Sequence, residues 1–343
     1  MSYDAILFVS FGGPEGPDDV MPFLENVLRG RNVPRERMLE VAEHYKHYGG
    51  GRPINAQNHA LIKALEAELA EHGPKLPVYF GNRNWNPMLA DTMKQMKEDG
   101  VKRAIAFVTS AFSCYSGCRQ YRENVYAACD VVGDGAPVVD KLRVFYNHPG
   151  FVEPMIDNVK SSLAHFDEAD RDSVHLVFTA HSIPNGMAAN SKYEWQLEES
   201  SRLVAEGVGS NPWELVYQSR SGPPQMPWLE PDVCDYIKEL HETQDAKRVV
   251  VIPIGFISDH MEVMYDLDDE AKQLCDELGV SMQRAATVGT DPRFVTMIRQ
   301  LVAERMEDEP VRLSLGSHGP SHDVCPEDCC MPGARPPARP TAS

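Results

Sequence analysis

Residues 255–270 read GFISDHMEVMYDLDDE, and within them Glu262, Asp266 and Glu270 recur at every fourth position. On a helix that spacing stacks three carboxylates in one row. Like charges so placed repel, and the row costs stability unless a cation compensates it. The plain alternative is a solvated acidic face, favoured by the positive end of a helix. Against that alternative, Val263, Met264 and Leu267 make the stretch amphipathic, and it follows directly on a short apolar run, RVVVIPI at 248–254. A second run, HLVFT at 175–179, leads into TAHSIP and puts His181 just past its end. A lone histidine is more often structural than functional. One that stands beyond a buried run and near a carboxylate row offers nitrogen and oxygen ligands suited to ferrous iron, with groups that titrate where protons must move.

The eight cysteines form a second constellation. Cys129, Cys234 and Cys275 are scattered in helix-like segments and read as packing residues. Cys114 and Cys118 share a short loop, and Cys325, Cys329 and Cys330 crowd into CPEDCC, too compact for core packing. MSYDAILFVSFGG carries no basic stretch of a signal peptide, and no run approaches the roughly 18–20 apolar residues of a membrane span. The expectation is a cytoplasmic protein without an integral membrane segment, whose thiols stay reduced and do not pair as disulfides. Four thiolates suit an iron–sulfur cluster or zinc, so the tail's three need a fourth from elsewhere.

What must position these groups is an alternation of short apolar runs with amphipathic stretches. Strands are expected at 5–10, 77–81, 103–109 and 142–146, then at 175–179, 214–218, 248–254 and 283–288, with helices between, as at 54–69 and 291–306. This is the pattern of parallel α/β sheets. The fourth run leads into NHPGFV and the eighth into TDPRFV, each placing a proline at a helix start, so the chain divides into two similar Rossmann-like halves. The expected domains are 1–148 and 149–310, followed by a metal-binding tail at 311–330 and a disordered Pro-rich end at 331–343. Ligands of open α/β sheets sit beyond the carboxyl ends of the strands, which directs attention to a cleft between the halves. GGPEG is no GxGxxG fingerprint and no Walker sequence occurs, so a nucleotide is not the expected ligand. A formal net charge of −18 over 343 residues argues against nucleic acid as a partner.

SFGGPEGPDDVMPFLENVLRGR, PVYFGNRNWNP, SGCRQYREN, FTAHSIP, YQSRSGPPQMPWLEPD and PIGFISDHMEVMYDLDDE, in this order, resemble the bacterial ferrochelatases, most closely the actinobacterial type that uses coproporphyrin. The resemblance runs from about Tyr3 to about Met306. It implies a porphyrin cleft between two Rossmann-like domains, with His181 and Glu262 as the catalytic pair, also contacting the Fe²⁺ substrate, and Asp266 and Glu270 continuing an acidic path. It implies coproporphyrin III and ferrous iron as partners, on a monomer or homodimer. Porphyrin contacts are expected from Phe11, Arg29, Arg31, Tyr45 and Arg52. Phe11 stands where some relatives carry a tyrosine that ligates the product iron, which a phenyl ring cannot do. SGCRQY matches the position that supplies a cluster ligand in cluster-bearing members, which implies one [2Fe–2S] cluster on Cys118, Cys325, Cys329 and Cys330. Cys114 is the competing fourth ligand, and zinc the competing metal.

Overall fold

β1 (Ala5–Ser10) is buried along its whole length, and β3 (Arg103–Val108), β5 (His175–His181) and β7 (Arg248–Ile252) are buried throughout their centres. Strands so uniformly apolar need cover on both faces, which parallel sheets flanked by helices provide. The computed structural model describes residues 2–30, 33–50, 53–222 and 225–333. It contains two four-stranded, wholly parallel sheets: β2 (Val78–Asn82), β1, β3 and β4 (Val138–Lys141) in that order, and β6 (Trp213–Gln218), β5, β7 and β8 (Ser281–Arg284). The strand order is the same in both, so the two Rossmann-like halves expected from the sequence are present.

The outermost strands differ from expectation in the same direction in each half. The apolar run expected to pair at 142–146 lies wholly after β4, which is the more polar VVDK, while the run at 283–288 pairs only through its first two residues, Gln283 and Arg284, at the end of β8 (SMQR). The chain leaves each sheet after one last bond, Leu142 N to Ala106 O at 2.9 Å and Ala285 N to Val251 O at 2.9 Å. It then crosses the buried junction between the sheets. An edge strand tolerates polar residues on its open side, whereas the connector beneath the helices must be apolar, so hydrophobicity marks the connector and not the strand. Both connectors end at a capped helix led by proline. His148 accepts from Gly150 N at 3.0 Å before Pro149–Leu163, and Asp291 accepts from Arg293 N at 2.8 Å before Pro292–Met306.

The halves share one core. Phe107 and Phe145 meet Phe151 and Phe294 with ring centroids 5.6–6.5 Å apart, and Phe294 lies on the last helix, which packs on both Pro53–His72 and Pro149–Leu163. At the same junction Arg143 and Glu304, both almost fully buried, pair at 2.7 Å, and Arg143 also donates to Leu313 O at 2.9 Å. Asn147 continues the seam, donating to Leu315 O and Gly319 O and accepting from Leu315 N. The tail is thereby fastened before it reaches its cysteines. Among the described residues no helix is long and apolar enough to cross a membrane.

Candidate active site

The segment after β7 is not the single α-helix that its pattern predicts. Met261–Val263 opens it, residues Met264–Ala271 take wider π turns, and Lys272–Leu278 closes it as α-helix. Val263, Leu267, Ala271 and Cys275 are fully buried at every fourth position. On an α-helix such a stripe drifts by roughly 40° per step. The wider π turns oppose that drift, so the stripe stays against the core and the acidic row beside it, Glu262, Asp266 and Glu270, stays together.

His181 ends β5 and Glu262 begins the acidic segment, and His181 Nε2 lies 3.6 Å from Glu262 Oε1. Close passage of the β7 exit beneath β5 is needed for this. At Gly255 a Cβ would stand 2.7 Å from the Cα and Cβ of Ala180, so only glycine fits. The second carboxylate oxygen, Glu262 Oε2, is 3.3 Å from His260 Nε2. β6 contributes at the same edge: Gln218 Nε2 donates to Glu262 O at 3.0 Å and to Asp266 Oδ2 at 3.2 Å, and Ser219, in the left-handed region with φ 61°, donates to Asp266. Tyr193 Oη donates to His181 O at 3.0 Å, fixing the end of β5.

These contacts set the charges. Burial works against a charged His181 ring, but the Glu262 carboxylate outweighs it and lifts the imidazole to about 9. Burial would raise Glu262, yet His181 and His260 hold it well below the ordinary carboxyl range. Asp266 is raised to about 6, first by burial and then by Glu262 and Glu270, against the hydrogen bond from Ser219.

The first half closes on this edge. Gln57 and Asp259 exchange two hydrogen bonds, His44 stacks on Tyr265 at 3.9 Å, and Tyr48 donates to Met264 O and to Asp269. Tyr45 is near enough to Glu262 that burial and that carboxylate together raise its phenol far above 10. Its ring lies 6.0 Å from Phe23, which also meets Phe11 at 6.3 Å and Trp85 at 6.1 Å, while Arg83 sits over Phe11. Of the predicted porphyrin contacts, Phe11 and Tyr45 thus share one aromatic cluster beside Glu262. Arg29 is exposed beyond the helix Val20–Val27, and Arg31 and Arg52 lie outside the described residues. His260 was missed in the sequence, although it stands two positions before Glu262 in the same motif. Gln218 and Ser219 lie in the motif YQSRSGPP at the end of an expected strand, but their contact with Glu262 and Asp266, and that of Tyr193 with His181, arises only from the meeting of strand ends.

Four of the cysteines gather beside β4, an outer strand of the first sheet. Cys118, Cys325, Cys329 and Cys330 line one pocket, and Cys329 Sγ is 3.5 Å from Cys330 Sγ. Cys330 takes φ 55°, a left-handed backbone that a cysteine adopts only when its surroundings hold it there. His322, unforeseen in the sequence, groups with Cys325 and Cys329, their ligand atoms within 4.8 Å of one another. Cys114 instead caps the turn Tyr115–Arg119, accepting from Gly117 N at 3.1 Å. Four converging thiols in a pocket with no disulfide fit a thiolate-bound metal centre.

Two similar parallel sheets meeting at a His–Glu edge place the chain among chelatase-like α/β proteins. SirB from Bacillus subtilis, solved with Fe³⁺, aligns with a TM-score of 0.56 at 10% identity over 89% of this chain and 98% of its own. The sirohydrochlorin chelatase SirB from Bacillus subtilis subspecies spizizenii, in complex with cobalt, gives 0.52 at 10% identity over 88% and 95%. The chain itself belongs to the ferrochelatase family, whose model matches residues 3–306. A protein named ferrochelatase from Rhodopirellula baltica is 60% identical over 96% of this chain and 93% of its own. Proteins named coproporphyrin III ferrochelatase from Streptomyces coelicolor and Nocardia farcinica are 51% and 48% identical, each over 98% of this chain and 95% and 99% of their own.

Proposed function

We propose that this protein inserts ferrous iron into coproporphyrin III, releasing two protons and giving iron coproporphyrin III, as a step of heme biosynthesis in the cytoplasm. The observation that carries the proposal is the approach of His181 Nε2 to Glu262 Oε1 at 3.6 Å, at the shared carboxyl edge of β5 and β7. The relatives named for this substrate support the choice of porphyrin.

Metallation must remove two pyrrole protons and bring Fe²⁺ to nitrogens that, in a flat ring, point at one another. A cleft that bends the ring exposes their lone pairs, and the distortion draws on binding elsewhere. Phe11 and Tyr45 offer flat apolar surface for that binding, and Arg29, Arg31 and Arg52 are cations for the propionates. In the resting pair His181 holds a proton and Glu262 is anionic. Glu262 is therefore the first base or iron contact, and His181 accepts a pyrrole proton only after passing on its own. Asp266, raised to about 6, suits a relay towards Glu270 and solvent. With Phe11 unable to ligate, His181 is the protein contact for product iron.

We also read residues 1–148 and 149–310 as two domains of a monomer or homodimer, and 311–330 as a tail that binds one [2Fe–2S] cluster through Cys118, Cys325, Cys329 and Cys330. When bound, the cluster would tie the tail to the first sheet and accept an electron. The closeness of His322 Nε2 to Cys329 Sγ, 3.9 Å, favours zinc as a second reading of this site. The deciding experiment is anaerobic metallation with ferrous iron, comparing coproporphyrin III with protoporphyrin IX under one set of detergent conditions. Higher kcat/KM with protoporphyrin IX refutes the substrate.

A further inference from the structure

Three cations ring the cysteine pocket: Arg119, Arg122 and Lys141. Arg119 is neutralised by Glu123 at 2.7 Å. The other two are not. Lys141 Nζ donates to Leu142 O at 2.7 Å, and Arg122 Nη1 to the carbonyls of Cys325 and Pro326 at 3.4 Å. No ion pair with a carboxylate is found for either among the described residues, in a chain with 51 acidic and 33 basic side chains. The acid beside Lys141 in sequence, Asp140, is taken by Arg103 at 2.6 Å. Both cations are half-buried. A cation drawn partly out of water without an anion is costly, so the pocket they face is built for negative charge.

We propose that Lys141 and Arg122 are the counter-charges of a metal centre on these cysteines and that they set its reduction potential. The inference rests on the cluster reading above. Four thiolates around a [2Fe–2S] core make a net dianion when both irons are ferric, and one electron adds a further negative charge. Net charge and nearby cations are main determinants of cluster potential. Lys141 and Arg122 offset the oxidised charge and favour the reduced form.

The test uses the full chain purified without oxygen, with iron, acid-labile sulfide and zinc measured first. The midpoint potential follows by titration with dithionite and mediators, the reductant supplying the single electron. Lys141→Met and Arg122→Met should each keep one cluster per chain and move the potential to more negative values. Lys141→Arg should return it towards wild type, and Lys160→Met, on the exposed face of a distant helix, should leave it unchanged. If Lys141→Met loses its iron while Lys141→Arg keeps it, charge is again what the site requires. Loss from both, or unchanged potentials in Lys141→Met and Arg122→Met with the cluster retained, overturns the inference. A wild type with zinc, or without iron and sulfide, overturns the cluster reading by a separate measurement.

Discussion

His181 and His260 hold the two oxygens of one carboxylate, Nε2 of the first 3.6 Å from Glu262 Oε1 and Nε2 of the second 3.3 Å from Glu262 Oε2. Glu262 therefore stays anionic, and His181 stays protonated through neutral pH. In Glu262→Gln the burial of His181 remains and its main opposing charge is gone, leaving only the Ser182 carbonyl and Asp266 to favour the charged ring, so it should titrate well below about 9. Histidine NMR titration of both proteins measures this. The pair's contribution to stability has a defined window on its alkaline side. It is full below about 6.5 and is lost as pH rises through about 9. The Tm difference between wild type and variant should close over that range.

His181→Ala and Glu262→Gln should each abolish most metallation while porphyrin binding persists. A positioned proton acceptor is worth roughly 10²–10⁴ in rate. Anaerobic rates, with porphyrin fluorescence as the binding readout, test it, and near-normal turnover in either variant removes that residue from the mechanism.

Asp266 titrates near 6 and accepts a relayed proton only when ionised. The wild-type rate should fall on the acid side of that value. Asp266→Asn should be slower at neutral pH and lack this limb; a limb that persists in the variant belongs to another group.

Arg143 and Glu304 form a buried pair at 2.7 Å that also holds the tail through Leu313 O. Removing one partner leaves the other charged and buried, at a cost of about 3–5 kcal/mol. Glu304→Ala should unfold at markedly lower denaturant concentration and expose the chain near 313 to proteolysis, whereas a distant surface change such as Lys160→Ala should do neither.

Cys118→Ser should remove the colour of protein purified without oxygen, while Cys114→Ser, whose sulfur only caps a turn, should keep it. Because Asn147 and Arg143 hold the tail independently, loss of the metal should free the chain around Cys325–Cys330 and leave residues near Leu315 protected. Hydrogen exchange by segment distinguishes the two.

Much of this protein is legible without coordinates. Buried parallel strands must be continuously apolar, so β1, β3, β5 and β7 stand out; position after two of them draws attention to His181 and to the acidic segment of Glu262, and the family resemblance implies that they pair. The spacing of Glu262, Asp266 and Glu270 likewise survives folding, because it runs beside a buried stripe of the same period. Local sequence placed β4 wholly too late and began β8 two residues late, since their apolar neighbours lie past the ladder. It could not foresee the π turns, whose cause is packing of the every-fourth stripe against a particular core. The second imidazole on Glu262, the support from Gln218, Ser219 and Tyr193, and the placing of Cys118 beside the tail's sulfurs, which the family resemblance implied, came about only when distant segments met. Residues far apart in the chain become neighbours through the order of the strands, and no local pattern encodes that distance.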